Sequence, residues 1–141
     1  MTVEFEVVEA APFEEIVELY KSAGWWKDAH GTETEARASV SAMIRGSFSF
    51  MVARLQEGRI VGMARAISDG CSDAYIQDVV VLPSCRKQGI GRELIRRLTE
   101  YCVARKISWI GLVAEPGTRK FYEELGYEPL AGYQPMLYGK R

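Results

Sequence analysis

The segment Tyr75–Cys102, YIQDVVVLPSCRKQGIGRELIRRLTEYC, decides the fold of this chain. Within it, Val79–Leu82 is continuously apolar and rich in β-branched side chains, which predicts a strand covered on both faces. Pro83 ends this strand, and apolar residues then recur at helical spacing from Ile90 to Cys102. The segment therefore predicts a buried strand, a short basic loop and a long amphipathic helix.

The loop between strand and helix has the features of an anion-binding site. Gly89 and Gly91 carry no Cβ, so backbone and ligand can approach each other closely there. The unpaired N–H groups and the positive dipole end of a helix start attract an anion, and Arg86 and Lys87 add charge beside them. The expected ligand contains phosphate.

Length and composition predict one domain, residues 1–141. The chain has 141 residues, 48% of them apolar, which is sufficient for one core. A formal net charge of −1 gives no bias toward nucleic acid or a membrane surface, so neither partner is expected. The acidic N-terminal stretch MTVEFEVVEA is unlike a signal peptide, and a cytoplasmic protein is expected.

The cysteines and the single histidine do not form a metal-binding pattern. Cys71, Cys85 and Cys102 contain no C-x-x-C spacing, and no metal site is expected. Cys102 lies on the apolar face of the long helix and is expected in the core. Cys85 is expected to be a small loop residue, with a catalytic thiol activated by the basic loop as the alternative. His30 is expected in a solvated loop, with a substrate contact as the alternative.

The other elements follow from periodicity and chain punctuation. Alternating Val3, Phe5 and Val7 predict a first strand, and Thr32-x-x-Glu35 is a capping box that opens a second helix. The predicted elements, in order, are a strand at Thr2–Glu9, a helix from Pro12 to Ala23, a helix from Thr32 to Gly46, a hairpin of Phe48–Leu55 and Arg59–Ile67, the strand and helix of Tyr75–Cys102, a strand at Ile107–Val113, a short helix after Pro116, and closing strands at Tyr127–Pro129 and Tyr133–Tyr138.

The element order is thus β-α-α-β-β-β-α-β-α-β-β. It predicts an α+β class (α/β mixed) with one mixed sheet and helices packed on its faces. Trp25 and Trp26 fall between the first two helices, where they either plug the connection against the core or line one wall of a substrate pocket.

Two nucleotide motifs fail at the glycine loop. A Walker loop needs Lys and Ser or Thr after its second glycine, but Arg92 and Glu93 follow Gly91. A dinucleotide fingerprint needs a third glycine where Leu94 stands. It should also lie near the start of a βαβ unit, whereas this loop follows four predicted strands. The pattern that remains is R-x-x-G-x-G, formed by Arg86, Gly89 and Gly91.

This pattern resembles the acetyl-coenzyme A signature of the GNAT superfamily of N-acetyltransferases. The later segment Phe121–Tyr127, FYEELGY, is similar to the late F-Y-x-x-L-G-[FY] segment of that family, and together with the strand order the resemblance covers most of the chain. A looser similarity to the small-amine branch, which includes serotonin-acetylating enzymes, runs through Leu19–Tyr20, Gly24–Trp25 and Ala64–Asp69. The resemblance implies a single twisted mixed sheet of six to seven strands flanked by about four helices.

The resemblance also implies site residues. The central strands would splay apart to admit the pantetheine arm of acetyl-coenzyme A (acetyl-CoA), a co-substrate, with no metal. Strand backbone would also stabilise the oxyanion, and Tyr122 matches the tyrosine that hydrogen-bonds the departing sulfur. The implied cofactor-binding residues are Val79, Val80, Val81, Arg86, Lys87, Gln88, Gly89, Ile90, Gly91 and Arg92.

The base and the acceptor are less constrained. Asp78 heads the buried strand and is the first candidate base, although its side chain could instead cap a neighbouring strand. Glu115 and a water chain are the other candidates. The expected reaction is acetyl transfer to a small-molecule amine in a pocket of Trp25, Trp26 and Tyr133; the alternatives are a protein or peptide amine, or a catalytically idle acyl-CoA-binding sensor. Family habit implies a homodimer.

Overall fold

The computed structural model describes residues 2–26 and 31–139. One mixed sheet forms the centre of the molecule, and helices pack against it. The strands are β1 (Val3–Val7), β2 (Ser49–Leu55), β3 (Ile60–Ser68), β4 (Asp73–Val81) and β5 (Trp109–Gly111). The helices are α1 (Phe13–Ser22), α2 (Glu33–Gly46), α3 (Ile90–Ala104) and α4 (Arg119–Glu123), with a 3-10 turn at Pro83–Cys85.

The sheet follows chain order, β1-β2-β3-β4-β5. The first four strands are antiparallel neighbours, so the predicted hairpin of β2 and β3 is confirmed, while β5 pairs with β4 in parallel. A parallel neighbour requires a crossover, which α3 provides. The long amphipathic helix predicted from the sequence therefore connects the two strands next to the glycine loop.

Helices cover the two faces of β3. A Cβ added to Gly62 would lie 3.2 Å from Leu94 of α3, so Gly62 faces that helix. Arg65, three residues on and therefore on the opposite face, is linked through Asp78 to Tyr20 of α1. Because β3 is buried from Ile60 to Ala64, the core encloses the middle of the sheet.

Local predictions for the helices are confirmed at particular atoms. The Glu35 backbone N–H donates to the Thr32 hydroxyl oxygen over 3.1 Å, as the capping box requires. Cys102 is fully buried in α3, as expected, and Cys85 is also buried, in the 3-10 turn. No helix in residues 2–26 and 31–139 is long and apolar enough to cross a membrane.

The prediction of two closing strands is wrong for this structure. Residues 127–139 contain no strand, so the described sheet has five strands rather than six to seven, whereas four helices are present as expected. Pro129, Gly132 and Pro135 interrupt the segment. A strand also needs a neighbouring strand to which it can hydrogen-bond, and residues 127–139 pair with none in the described structure. Its large apolar side chains are consequently exposed: Leu130, Tyr133, Met136, Leu137 and Tyr138.

Candidate active site

Strands β4 and β5 separate partway along their length. Their pairing ends at Tyr75 with Gly111, although β4 continues to Val81. Leu82 donates its N–H to Val61 of β3, so Val81, one residue earlier, directs its own N–H away from β3. The second half of β4 therefore has backbone groups on an edge that β5 does not cover, in accord with the splay that the family resemblance implies.

The glycine loop at the end of β4 has a cluster of unpaired backbone donors. None of the N–H groups of residues 87–92 donates to a carbonyl within the described part of the chain. Lys87 and Gly89 adopt positive φ angles of 61° and 80°, which turn the backbone into the start of α3. A Cβ at Gly89 would meet no protein atom within 4 Å, so this glycine faces open space. Six consecutive amides around an open space fit a pyrophosphate group.

The basic side chains of the loop have different neighbours. Arg86 Nε donates to the Val81 carbonyl at 2.9 Å, which ties the loop to the end of β4. Arg92 forms an ion pair of 2.6 Å with Glu124, at the end of α4. Lys87 is exposed in the loop itself. Of the three basic side chains, that of Lys87 is the least involved in contacts with the described residues.

Helix α4 lies against the loop through Phe121, and Tyr122 is the next residue of this helix. A Cβ added to Gly91 would be 3.7 Å from Val81 and 3.8 Å from Phe121, so strand end, helix start and α4 meet at this glycine. Tyr122 packs edge-on against Phe121 and Tyr127. Burial, with the carboxylate of Glu115 next in importance, raises the pKa of the Tyr122 hydroxyl above its ordinary value. The phenol is thus held in its protonated, hydrogen-bond-donating form.

Asp78 lies at an irregular point of β4. Met63 pairs with Val80 and Arg65 with Gln77, so two residues of β4, Asp78 and Val79, stand opposite Ala64 of β3. This is a β-bulge, and Asp78 has a φ of 54°. A left-handed conformation is uncommon for a residue with a side chain, which marks this position as one that surrounding contacts must hold.

Two side chains donate to the same oxygen of Asp78. The Tyr20 hydroxyl lies 2.6 Å and Arg65 Nε 2.7 Å from Oδ2. Burial, together with the Asp78 carboxylate, raises the pKa of Tyr20 far above its usual value, so this hydroxyl remains a donor. In the sequence, Tyr20 belongs to the first predicted helix and Arg65 to the predicted hairpin, and both lie in the segments of the looser small-amine similarity, but neither was assigned to the site. A tyrosine on the apolar stripe of a helix and an arginine within a buried strand were the available signals, since both need polar partners.

The predicted acceptor residues are only partly brought together. Trp25 packs edge-on against Tyr20 with ring centroids 5.9 Å apart, which connects it to Asp78. Trp26 packs against Phe13 at 6.2 Å, and both indoles are half-buried. Tyr133, in contrast, is 77% exposed on the C-terminal segment and does not join them.

The remaining candidates occupy simpler positions. Glu115 is exposed near Tyr122, and its carbonyl accepts hydrogen bonds from Thr118. Cys85 is buried with its sulfur 3.7 Å from the Ser84 hydroxyl. His30 lies outside the described residues. Within residues 2–26 and 31–139, no group of three or more His, Cys, Asp or Glu side chains is arranged to hold a metal ion.

The sequence pattern of the Acetyltransferase (GNAT) family matches residues 13–127, which include the open strand edge, the glycine loop and Tyr122. The chain belongs to this family. GNAT acetyltransferases use acetyl-CoA, a phosphate-containing substrate of the kind that the loop fits. The GNAT chain also shares its fold with an acetyltransferase from Streptococcus pneumoniae, at a TM-score of 0.80 and 24% identity over 99% of both chains.

Two curated relatives match about half of this GNAT chain. GCN5-related N-acetyltransferase 2, chloroplastic, of Arabidopsis thaliana is 41% identical over 73 residues, 52% of this chain and 28% of that protein. Serotonin N-acetyltransferase 2, chloroplastic, of Oryza sativa subsp. japonica is 44% identical over 70 residues, 50% of this chain and 35% of that protein. The matched part is thus about a third or less of these relatives' length.

Proposed function

We propose that this chain is an acetyl-CoA-dependent N-acetyltransferase that transfers the acetyl group directly to a primary amine of a small molecule. The observation that carries the proposal is the combination of the open edge of β4 and the adjoining helix α4 with six amides, at residues 87–92, that have no carbonyl partner in the described part of the chain. A phosphate cradle alone would suit many ligands. A cradle that continues into an open strand edge suits a long ligand with a pyrophosphate at one end and amide groups along its length.

In this proposal the co-substrate is held by backbone along its whole length. The loop amides, with Gly89 and Gly91 allowing close approach and Lys87 adding charge, would bind the pyrophosphate. The backbone groups of Val79–Val81 that point away from β3 would pair with the amides of the pantetheine arm. The outward N–H of Val81 is also a donor suited to the oxyanion that develops on the thioester carbonyl.

Tyr122 would act where the thiolate leaves. An ordinary phenol, with a pKa of about 10, protonates a thiolate whose acid has a pKa of about 8.5 only at a cost of about 2 kcal/mol. Burial raises the pKa of Tyr122 further, which makes outright transfer still harder. Tyr122 therefore stabilises the departing sulfur by donating a hydrogen bond while keeping its proton.

Asp78 is the base that we propose for the acceptor ammonium. Its carboxylate lies in the irregular part of β4, next to the open edge, and is linked through Tyr20 to the ring of Trp25. Glu115 is the second candidate because it is close enough to influence Tyr122, but its exposure leaves it in water rather than in a dry site. A water chain remains the third route.

The half-buried Trp25 and Trp26 favour an acceptor with an aromatic or apolar body attached to the amine. The name of the rice relative, a serotonin N-acetyltransferase, agrees with that chemistry.

A protein or peptide amine is the second candidate acceptor, and an idle acyl-CoA-binding sensor is the alternative function. A cytoplasmic location and a homodimer also belong to the proposal; the exposed apolar segment Leu130–Tyr138 supports the homodimer.

The proposal is tested by following thiol release from acetyl-CoA with a panel of arylalkylamines, polyamines and lysine peptides. We expect turnover to be fastest with an arylalkylamine. Tight binding of acetyl-CoA without turnover of any amine would support the sensor instead, and preferential acetylation of peptides would replace the small-molecule acceptor. Failure to bind acetyl-CoA at all would exclude both functions.

A further inference from the structure

Asp78 is held by two donors from different parts of the fold. Tyr20 comes from α1 and Arg65 from β3, yet both donate to Oδ2, at 2.6 Å and 2.7 Å. The Arg65 and Asp78 side chains are only 16% and 24% exposed, so water screens the pair weakly. In the described part of the chain no donor is paired with Oδ1. One oxygen of the carboxylate is thus anchored and the other is left for chemistry.

The anchored oxygen also explains how the bulge persists. Asp78 has a left-handed φ of 54°, which costs a residue with a Cβ on the order of 1–2 kcal/mol. Strain of this kind is maintained when several contacts fix the residue, and it concentrates at functional sites. The two hydrogen bonds to Oδ2 provide that fixation, and they couple the backbone of β4 to the side chain of Tyr20.

Among the described residues, the other groups around Tyr20 are uncharged. The Met43 sulfur of α2 lies 3.0 Å from the Tyr20 hydroxyl, the Ser47 hydroxyl lies 3.4 Å from Arg65 Nη1, and the Trp25 ring covers the Tyr20 ring. Within residues 2–26 and 31–139, the titratable and charged groups that face Asp78 are therefore Tyr20 and Arg65. A change of the Tyr20 hydroxyl should accordingly be felt at Asp78 and not at a more distant charge.

We propose that Tyr20 is a positioning residue: its hydroxyl, together with Arg65, holds Oδ2 of Asp78 so that Oδ1 accepts a proton from the acceptor ammonium. This inference rests on the proposed acetyl transfer. One N–H bond of the ammonium breaks and an O–H bond forms at Oδ1, leaving on nitrogen the electron pair that forms the new C–N bond. The C–S bond then breaks with its electrons going to sulfur. Asp78 returns its proton to solvent, and the second proton of the amine ends on the thiol.

The test is Tyr20→Phe, which keeps the ring that packs against Trp25 but removes the donor. We expect kcat with an arylalkylamine to fall about 10- to 100-fold, because a hydrogen bond to a charged group is lost. The acidic limb of the pH profile of kcat/KM should move, because the proposed base keeps only one of its two donors. Acetyl-CoA affinity should stay within about twofold of the parent, because the loop amides are untouched.

Two comparisons separate positioning from a structural effect. Tyr101→Phe, on a half-buried tyrosine of α3 that packs against Phe48, should change neither kcat nor the acidic limb. In an Asp78→Asn background, Tyr20→Phe should have little further effect, because its action runs through the carboxylate. Thermal unfolding of all variants shows whether each is folded at the assay temperature.

The outcomes are distinct. The positioning role is overturned if the acidic limb of the kcat/KM profile does not move in Tyr20→Phe. It is also overturned if Tyr20→Phe lowers kcat by the same factor in the wild-type and Asp78→Asn backgrounds. Either result leaves the proposed acetyl transfer intact. A wild-type protein that binds acetyl-CoA but acetylates no amine overturns both proposals. If Tyr20→Phe unfolds, Arg65→Lys provides the same test, since it keeps the positive charge but alters the second donor to Oδ2.

Discussion

Arg86 Nε donates a hydrogen bond of 2.9 Å to the carbonyl oxygen of Val81. The bond joins the first residue of the glycine loop to the last residue of β4, so the guanidinium shapes the loop in addition to supplying charge. Lys87 is exposed and has the left-handed backbone that turns the chain toward α3. Two adjacent basic residues therefore have different tasks.

This difference predicts different effects of removing each side chain. Arg86→Ala should weaken acetyl-CoA binding about 10-fold and also lower the melting temperature, because a hydrogen bond that orders the loop is lost. Lys87→Ala should weaken binding by a smaller factor, about 3-fold, without a loss of stability, since it removes a screened charge. Calorimetric titration at two salt concentrations and thermal melts measure both. Equal changes in stability for the two variants would contradict the assignment.

Gly89 is the position of the loop where a side chain should be most harmful to binding. Its φ of 80° makes Gly89→Ala cost roughly 1 kcal/mol of folding free energy, and the new methyl would enter the space left for the ligand. Gly58→Ala is the matched control, because Gly58 has a φ of 100° and also has no atom within 4 Å of its added Cβ, but lies in the β2–β3 turn. Both variants should lose similar stability, measured by urea unfolding. Only Gly89→Ala should lose acetyl-CoA affinity; unchanged affinity would remove Gly89 from the binding loop.

Tyr122→Phe should lower kcat about 10- to 100-fold while acetyl-CoA affinity changes little, because the hydroxyl is used as the thiolate departs. Tyr127→Phe is the matched control. Tyr127 is similarly half-buried, but its hydroxyl lies 2.6 Å from the Thr99 hydroxyl, so its loss should reduce stability and spare kcat. Steady-state kinetics and binding titrations distinguish the two. If Tyr127→Phe lowers kcat as much as Tyr122→Phe, the effect belongs to the packing of α4 and not to the phenol.

The sequence predicts the parts of the site that depend on local physics. Gly89 and Gly91 before an amphipathic helix, and the capping box at Thr32, need only neighbouring residues to act, and the structure has them where expected. The contact of Tyr20 with Asp78 joins residues 58 positions apart, which no periodicity reveals. The prediction of closing strands was wrong for a similar reason. The β-propensity of Tyr133–Tyr138 is a local property, whereas a strand forms only where a neighbouring strand can hydrogen-bond to it.

Acid should weaken the fold through Glu93 of α3. Hydrogen bonds from Arg96 and then Arg97 lower the pKa of the Glu93 carboxyl to about 2. Because the folded pKa lies below the ordinary value of 4.5, the stabilisation is complete above about pH 4.5 and is lost as pH falls toward 2. Chemical unfolding of wild type and Glu93→Gln between pH 7 and 3 should show their stabilities converging on the acid side. High salt should reduce the difference at pH 7, because it screens the ion pairs of Glu93.

The C-terminal segment provides a test of self-association. Five large apolar side chains between Leu130 and Tyr138 are 55–91% exposed, and residues 129–139 contain no charged residue, a composition unlike that of a solvated tail. Burying them in two copies would remove on the order of 1,000 Å² from water, which is enough for a specific dimer. Leu137→Asp should therefore convert a dimer to a monomer in sedimentation experiments. Val103→Asp, on a valine that is 59% exposed on α3, is the matched control and should leave the dimer intact. A monomeric wild type, or a dimer that tolerates Leu137→Asp, would show that this segment is not the interface.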